Sequence, residues 1–274
     1  MGLGRYFPFL LSAVLLLLGG CERTDTKDQS AKESGDIKVA PYGSWQSPLS
    51  AAEVFERTDD IAELQSVGNA IYFAESSGRA QGKVGIKRLD DLGKVTEVVP
   101  PDFNVKSTVH EYGGAAFLGI GQSLFATKLQ DQLFYRFAPN QPPLPLTPNG
   151  TRHADCVAYP KGSRIICVRE DHRQGGEPKA SLVTINLNFA GEGDTFVTGH
   201  DFISSPTISP DNTQLAWITW EHPYMPWDKS VLWLGDLDRK GQLKNIRKVS
   251  TPEDSSVTQP LFGPDGKLYP TFRS

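Results

Sequence analysis

The chain has 274 residues, of which 38% are hydrophobic and 22% are charged, and its formal net charge is −4. Its 26 glycines and 20 prolines are typical of a globular protein rich in strands and turns rather than in helices. Basic residues do not cluster in the sequence, which argues against nucleic acid as a partner and against an electrostatic attachment to anionic lipid.

The first 20 residues have the organisation of a secretion signal. Arg5 precedes an apolar run of 13 residues, Tyr6 to Leu18, which is shorter than the ~20 residues that a membrane-spanning helix needs. The order Leu18-Gly19-Gly20-Cys21 resembles the bacterial lipoprotein signal, in which the cysteine is lipidated and becomes the new N-terminus. The alternative is an ordinary secretory signal that ends near a cysteine. We expect residues 1–20 to be removed and Cys21 to carry the lipid.

Lipid on Cys21 would attach the mature chain to a membrane, since each buried CH₂ contributes ~0.8 kcal/mol. Glu22 follows, rather than the Asp that resembles an inner-membrane retention signal, which favours the periplasmic face of the bacterial outer membrane. Residues 21–40 are polar and contain no aromatic side chain, so they cannot bury enough apolar surface to offset their ordering entropy. They are predicted to form a flexible tether with a reach of about 25 Å.

A short helix is predicted where the globular domain, residues 41–274, begins. Ser50-Ala51-Ala52-Glu53 has the spacing of a capping box, in which a serine and a glutamate three residues later satisfy each other's backbone amides. Val54 and Phe55 follow as the first apolar residues. The pattern predicts a helix around residues 48–57.

The rest of the chain repeats a β-hairpin. SSPTISPDNTQLAWITW, residues 204–220, shows two apolar runs around a Pro-Asp-Asn turn. Similar turns begin at Gly68, Gly121, Gly162, Asp211 and Asp265, at intervals of 53, 41, 49 and 54 residues. A further strand follows in each complete unit, at residues 84–89, 132–137, 181–187 and 230–234. A period near 50 with several strands per unit predicts an all-β fold, a propeller of four-stranded blades.

Four units are complete, and a fifth stops at LYPTFRS, residues 268–274. Pro270 lies in what we expect to be the third strand of that unit, although proline cannot donate to a β-ladder. We therefore expect a truncated larger propeller whose unpaired edges need a covering partner. The alternative is a complete small propeller whose last blade is finished by an N-terminal strand, residues 61–66.

Cys156 and Cys167 are candidates for a disulfide because the expected compartment is oxidising. They lie directly opposite each other across a hairpin centred on Lys161-Gly162, and opposed Cα atoms are ~4.5 or ~5.5 Å apart, within the range for a disulfide. The alternative is a pair of buried thiols in the β-rich core.

Each of the five histidines has an acidic residue within two positions. Metal binding and general acid–base catalysis are the functional interpretations, but no H-E-x-x-H or Cys/His pattern is present, so we expect no metal and no cofactor. The structural alternative is that each pair lies in a loop and satisfies its own polar groups. The pairs are His110-Glu111, His153 with Asp155, Asp171-His172, His200-Asp201 and Glu221-His222.

Four segments carry a more specific resemblance. They are TEVVPPDFNVKSTVHEYGG (96–114), RIICVREDHRQGGEP (164–178), GHDFISSPTISPDNTQLAWITWEHPYMPWD (199–228) and LWLGDLD (232–238). They resemble the N-terminal β-propeller of bacterial serine peptidases of the prolyl oligopeptidase family, of the dipeptidyl aminopeptidase and acylaminoacyl-peptidase type. The resemblance runs from about Tyr42 to Gly266.

The resemblance implies that the propeller precedes an α/β-hydrolase domain with a Ser-Asp-His triad and restricts which peptides reach the nucleophile. No G-x-S-x-G occurs in this sequence, so neither the nucleophile elbow nor the triad can be assembled, and we expect no peptide hydrolysis by this chain alone. The resemblance also implies that three loops shape the face toward the hydrolase domain or line the substrate channel. Their candidate residues are His110, Glu111, Tyr112, His200, Asp201, Glu221, His222, Tyr224, Met225, Trp227 and Asp228.

The sequence thus predicts a lipid-anchored periplasmic propeller that contacts a peptide, a hydrolase domain or a partner protein. Two alternatives stay open. One is a standalone propeller of the TolB type that acts as a binding module, and the other is a truncated remnant without function.

Overall fold

A computed structural model describes residues 40–44, 46–56, 59–159, 163–249 and 255–273. The chain divides into two units, Met1–Pro48 and Leu49–Ser274, and every strand belongs to the second. The expected signal peptide, Cys21 and residues 22–39 of the expected tether lie outside the described residues and stay predictions. No helix in the described part of the chain has the length and apolar character needed to cross a membrane.

The predicted N-terminal helix is present as α1 (Ala51–Glu56). Its capping box forms as expected: Glu53 N–H donates to Ser50 Oγ at 3.2 Å, and Ser50 N–H donates to Glu53 Oε2 at 2.9 Å. These bonds satisfy amides that a helix N-terminus leaves without intrahelical partners.

Eighteen strands form four four-stranded antiparallel sheets and one two-stranded sheet in the described chain. Sheet 1 contains β1 (Asp59–Val67), β2 (Ala70–Ser77), β3 (Lys83–Leu89) and β4 (Val95–Glu97). Sheet 2 contains β5 (Phe117–Ile120), β6 (Ser123–Thr127), β7 (Phe134–Phe137) and β8 (Leu144–Pro145). Sheet 3 contains β9 (Thr151–Tyr159), β10 (Arg164–Asp171), β11 (Lys179–Asn186) and β12 (Asp194–Val197). Sheet 4 contains β13 (Phe202–Ile208), β14 (Gln214–Trp220), β15 (Val231–Leu237) and β16 (Leu243–Lys248), and sheet 5 contains β17 (Ser256–Phe262) and β18 (Leu268–Arg273).

Each sheet is one blade of a propeller, and its strands follow in sequence order. The first strands of consecutive sheets contact one another, β1 with β5, β5 with β9, β9 with β13 and β13 with β17, so they are the inner strands near the axis. The predicted fold, four complete blades and part of a fifth, is confirmed. Because strand direction alternates, the loops between second and third strands emerge at the same end as the connections that enter each first strand. We call this end the upper end.

Four apolar clusters fill the spaces between neighbouring blades. The second strand of a blade contributes side chains to the clusters on both of its faces. In β14, Leu215 and Trp217 pack toward sheet 3, whereas Ala216 and Ile218 pack toward sheet 5. This two-sided burial explains the continuous apolar run LAWITW, where a strand buried on one face would alternate.

Four inner strands share a β-bulge with a residue at positive φ. These residues are Glu63 (49°), Asp155 (51°), Ser205 (52°) and Gln259 (51°), on β1, β9, β13 and β17. A non-glycine residue at positive φ is uncommon, and its recurrence at one position of the repeat shows that the bulge belongs to the blade design.

Two predictions about the ends of the propeller were wrong. Residues 61–66 do not finish a last blade, because they lie in β1 and pair with β2 in sheet 1. Pro270 lies in β18, the second strand of sheet 5, rather than in a third strand. It faces the bulge of β17, where the register breaks between Thr258 and Leu261, so its missing N–H falls where the ladder is already interrupted.

Cys156 and Cys167 are joined by a disulfide in the structure, with Cα atoms 4.1 Å apart. They are not a regular cross-strand pair as the hairpin count had suggested. Cys156 belongs to the bulge of β9, and Cys167 is the β10 residue that faces this bulge. The disulfide therefore fixes the bulge beside Asp155. The turn at Lys161-Gly162 lies outside the described residues.

Candidate functional site

The candidate site is a group of loops at the upper end, held from below by two carboxylates near the propeller axis. Glu63 on β1 accepts a hydrogen bond from Ala116 N–H at 2.7 Å. Asp155 on β9 accepts one from Ala115 N–H at 2.7 Å and one from Ser205 N–H at 3.0 Å. Blades 1 and 3 thus hold the consecutive amides of Ala115 and Ala116, which lead into blade 2 directly after the segment HEYGG, residues 110–114.

Burial shifts the protonation of both carboxyl groups. It raises the pKa of Glu63 to about 7, although hydrogen bonds from the Ala116 and Phe117 amides act in the opposite direction. It also raises the pKa of Asp155, again against the hydrogen bonds from Ser205 and Ala115. The charge of Asp155 adds to the shift at Glu63.

The HEYGG loop, residues 110–114, has an unusual backbone. His110 and Glu111 have φ angles of 56° and 64°. Gly113 has a φ of 95°, and a Cβ built there would lie 2.8 Å from the backbone oxygen of Ser107. Consecutive residues at positive φ are strained and are maintained only where surrounding contacts determine them.

Those contacts bury the His110 ring. It lies 4.8 Å from the ring of Trp220 and 5.6 Å from that of Phe202, centroid to centroid. Its backbone N–H donates to Glu170 Oε1 at 2.8 Å, while Glu170 Oε2 lies 3.1 Å from Nε2 of His172. Burial lowers the pKa of His110 to about 4, so the ring is neutral at physiological pH. His110 holds the loop in place from inside the protein rather than facing a ligand.

Two histidines at the upper end pair crosswise with acids. His200 Nδ1 lies 2.6 Å from Glu221 Oε1, and His222 Nδ1 lies 3.1 Å from Asp201 Oδ2. These pairs tie the connection into β13 to the loop after β14. His222 Nε2 also lies 3.7 Å from Glu177 Oε1, in the loop after β10 of the neighbouring blade.

The structural alternative, in which each histidine pairs with the acid next to it, does not describe the observed contacts. Adjacent residues of an extended chain point to opposite sides, and His200 and His222 each reach the acid of the other pair, on another segment. His110 and His172 share Glu170 instead of using Glu111 and Asp171. His153 lies inside β9 rather than in a loop, and both its ring nitrogens are buried without a hydrogen-bond partner among the described residues.

The outer layer of the upper end exposes four apolar side chains, which we call the upper surface: Tyr112 (52% exposed), Tyr224 (46%), Met225 (36%) and Trp227 (55%). The rings of Tyr112 and Trp227 lie 6.4 Å apart, centroid to centroid, although they come from different blades. Glu111 and Asp228 border this surface: Glu111 forms an ion pair with Arg152 at 2.7 Å, and Asp228 Oδ2 accepts from Met225 N–H at 3.1 Å.

All the loop residues singled out in the sequence lie at the upper end, but sequence reasoning missed their supports. Glu63 lies in DDIAELQSV, where nothing distinguishes it from a surface acid. Glu170 carries a usable signal, because the alternation of a strand places it on the same face as the buried Ile166 and Val168, where an acid needs a partner. In the described part of the chain no group of three or more His, Cys, Asp or Glu side chains is arranged to hold a metal ion.

No protein-family model matches the sequence, and no curated protein matches it. Among solved structures, a puromycin hydrolase matches 86% of this chain with a TM-score of 0.76 and 29% identity. A puromycin-hydrolyzing peptidase from Mycobacterium tuberculosis matches 85% with a TM-score of 0.74, also at 29% identity. A prolyl endopeptidase shares the fold, with a TM-score of 0.56 and 10% identity over 81% of this chain.

The matched region accounts for 39% of the puromycin hydrolase, 38% of the mycobacterial peptidase and 34% of the prolyl endopeptidase. The present chain therefore spans about two fifths of the two puromycin-hydrolyzing enzymes. Its blades fit the N-terminal propeller of prolyl-oligopeptidase-family peptidases.

Proposed function

Because the fold is that of the N-terminal propeller of prolyl-oligopeptidase-family peptidases, we propose that this chain is the non-catalytic propeller portion of such a serine peptidase. In this proposal the upper surface docks a hydrolase domain, and the loops around it gate the access of peptides. The observation that carries the proposal is that two loops from different blades meet at the upper end, where they expose Tyr112, Tyr224, Met225 and Trp227, with the rings of Tyr112 and Trp227 6.4 Å apart.

The composition of the upper surface supports docking. Aromatic residues and methionine are enriched at the centres of protein interfaces, where rigid side chains bury large areas with a small loss of conformational entropy. The crosswise histidine–acid pairs join the connection into β13 to the loop that carries Tyr224, Met225 and Trp227, which supports a fixed base for the exposed rings.

We further propose that the chain does not hydrolyse peptides by itself and is attached to the outer membrane through lipid on Cys21. The absence of G-x-S-x-G from the sequence supports the first part, and the Leu-Gly-Gly-Cys order supports the second. Mass spectrometry of the membrane fraction would test the anchor, since acylated Cys21 would be the first residue.

The DNA downstream of the Ser274 codon provides the first test of the docking proposal. We expect it to continue, in frame or after one shift, into a hydrolase segment with G-x-S-x-G. Unrelated sequence at that point would contradict the fragment proposal and favour a standalone binding module.

A binding measurement provides the second test. The full chain is titrated calorimetrically with the separately produced hydrolase segment, and we expect Tyr224→Ser with Trp227→Ser to weaken binding at least tenfold. Leu92→Ser is the matched control, because Leu92 is 89% exposed and lies in the turn between β3 and β4, at the opposite end of the propeller. Equal binding by both variants would overturn the role of the upper surface.

A further inference from the structure

Blade 4 contains a small cavity beside the upper surface. Its volume is about 200 Å³, and its lining is mainly apolar. Trp233 and Tyr224 contribute aromatic rings to the lining, and Lys229 and Lys248 contribute two ammonium groups. We call this cavity the blade 4 pocket. It is smaller than the ~300 Å³ at which drug-sized ligand sites begin, so it suits one side chain or a fragment of that size.

The two lysines bring positive charge to aromatic walls. Lys229 Nζ lies 5.4 Å from the centre of the Tyr224 ring, and Lys248 Nζ lies 5.4 Å from that of Trp233. Such cation–π contacts contribute about 0.5–1 kcal/mol at exposed sites, and they leave the ammonium donors available. Among the described residues neither ammonium forms an ion pair with a carboxylate.

The acid in the lining, Glu221, is already occupied. Its Oε1 is 2.6 Å from His200 Nδ1, and its Oε2 accepts from Asp201 N–H at 2.8 Å. These contacts hold the carboxylate toward the loop before β13, and among the described residues Glu221 forms no ion pair with either lysine. The pocket therefore combines an apolar interior with two cations that have donors to offer.

The wall formed by Trp233 is fixed. Its indole Nε1–H donates to Thr219 Oγ1 at 2.9 Å, and its ring stacks on Trp217 with centroids 6.4 Å apart. Trp217 is almost fully buried between blades 3 and 4. A fixed aromatic wall avoids the ordering cost that a mobile side chain imposes on binding.

We propose that the blade 4 pocket binds a carboxylate carried next to an aromatic or aliphatic group, with the apolar group against Trp233 and Tyr224 and the carboxylate between Lys229 and Lys248. Polypeptides offer this chemistry in two ways, as a C-terminal carboxylate or as an acidic side chain beside an apolar one. The inference does not depend on the proposed function, because it concerns a pocket that small ligands test without any hydrolase domain.

Three capped probes distinguish the effect of the negative charge, the effect of the aromatic group and the source of the carboxylate. N-acetyl-phenylalanine presents a C-terminal carboxylate, N-acetyl-aspartyl-phenylalaninamide presents an internal acidic side chain, and N-acetyl-phenylalaninamide is the neutral control. Each is titrated into the full chain labelled with ¹⁵N at tryptophan, and the Trp233 indole N–H is followed by NMR after assignment with Trp233→Phe. We expect at least one acidic probe to shift this resonance saturably and the neutral probe to bind at least tenfold more weakly.

The variant Lys229→Gln with Lys248→Gln should weaken the acidic probe at least tenfold. Lys94→Gln, an exposed lysine in the turn between β3 and β4, removes one charge far from the pocket and should leave binding unchanged. Binding of only one acidic probe would identify the source of the carboxylate. Equal binding of the neutral probe, undiminished binding to the double variant, or no saturable shift with either acidic probe would overturn the proposal.

Discussion

Glu63 and Asp155 show how single residues hold the candidate site. Both occupy a bulge at positive φ, and both accept hydrogen bonds from backbone amides of another blade. A carboxylate can accept from several donors at once, which suits it to joining strands that share no ladder. Burial raises the pKa of both carboxyl groups, so these contacts depend on pH.

Glu63 should make the protein less stable as the pH rises. Its pKa is about 7 in the folded protein against an ordinary value of 4.5, so the folded state binds more protons between these pH values. The stability that Glu63 contributes is fully present below pH 4.5 and is lost as the pH rises through about 7. We expect Glu63→Gln to reduce this loss by about 1–3 kcal/mol, measured by urea unfolding at pH 4.5 and pH 8.

The control for this experiment is Glu56→Gln, which removes one carboxylate from the exposed helix α1 and changes the net charge equally. The same pH dependence of the free energy of unfolding in wild type and Glu63→Gln would show that the pKa of Glu63 does not change on folding.

Asp155→Ala should destabilise the propeller strongly. The substitution leaves the N–H groups of Ala115 and Ser205 without their acceptor, and each unsatisfied buried donor costs about 1–3 kcal/mol. We expect a loss of about 2–4 kcal/mol in the free energy of unfolding, measured in urea at pH 7. Asp91→Ala in the exposed β3–β4 turn is the control, and an equal effect of both substitutions would contradict the bridging role.

At the residue scale the sequence predicted which side chains matter better than it predicted their partners. His200, Asp201, Glu221 and His222 all lie at the upper end, but they pair crosswise. The pairing depends on how the connection into β13 meets the loop after β14. That contact is tertiary, and no local pattern in either segment reports it.

At the scale of the element, the sequence predicted the hairpins but not the bulges. The predicted third strands match β3, β7, β11 and β15 to within a few residues, because turn residues and apolar runs are local signals. A bulge has no such signal: Glu63, Asp155, Ser205 and Gln259 share a position and a φ angle but not a residue type. Counting residues from the turn placed Cys156 directly opposite Cys167, and this count missed the extra residue that the bulge adds to β9.

The Cys156–Cys167 disulfide should stabilise the third blade. It closes a loop with a sequence separation of 11 residues, for which chain entropy gives about 2–3 kcal/mol. Cys156→Ala with Cys167→Ala should lose about that amount in thermal unfolding. Combined with Asp155→Ala, the loss should be less than additive, because the disulfide and Asp155 act on one bulge. Strict additivity would show that the disulfide does not support Asp155.

Gly113 should be indispensable to the HEYGG loop. A Cβ there would meet the Ser107 backbone oxygen at 2.8 Å, and the φ of 95° disfavours any side chain. Gly93 also has a positive φ, 79°, but its Cβ would meet nothing within 4 Å. We expect Gly113→Ala to lower the free energy of unfolding by at least 1 kcal/mol more than Gly93→Ala. Equal losses would mean that the close approach to Ser107 relaxes without cost.

For the whole molecule, the period of about 50 residues was sufficient to predict the propeller, because each unit must bury both faces of its second strand against its neighbours. What the repeat could not show is how stability is distributed among the strands of one blade. In sheet 4, β14 is buried along almost its whole length, whereas all residues of β16 after Leu243 are exposed. The same contrast between the second and the fourth strand holds in sheet 1, where β2 is more buried than β4.

Hydrogen exchange should therefore depend on the position of a strand within its blade rather than on the order of the blades. Exchange requires local opening, and the free energy of opening rises with the number of buried apolar contacts that must break. We expect the amides of β14 to exchange at least ~100-fold more slowly than those of β16, measured by mass spectrometry at neutral pH. Each amide hydrogen-bonded to a neighbouring strand is compared with its own intrinsic rate, so that amides already open to solvent do not distort the result. Equal protection of β14 and β16 would mean that the blade opens as one unit and that packing between blades, not position within the blade, limits its stability.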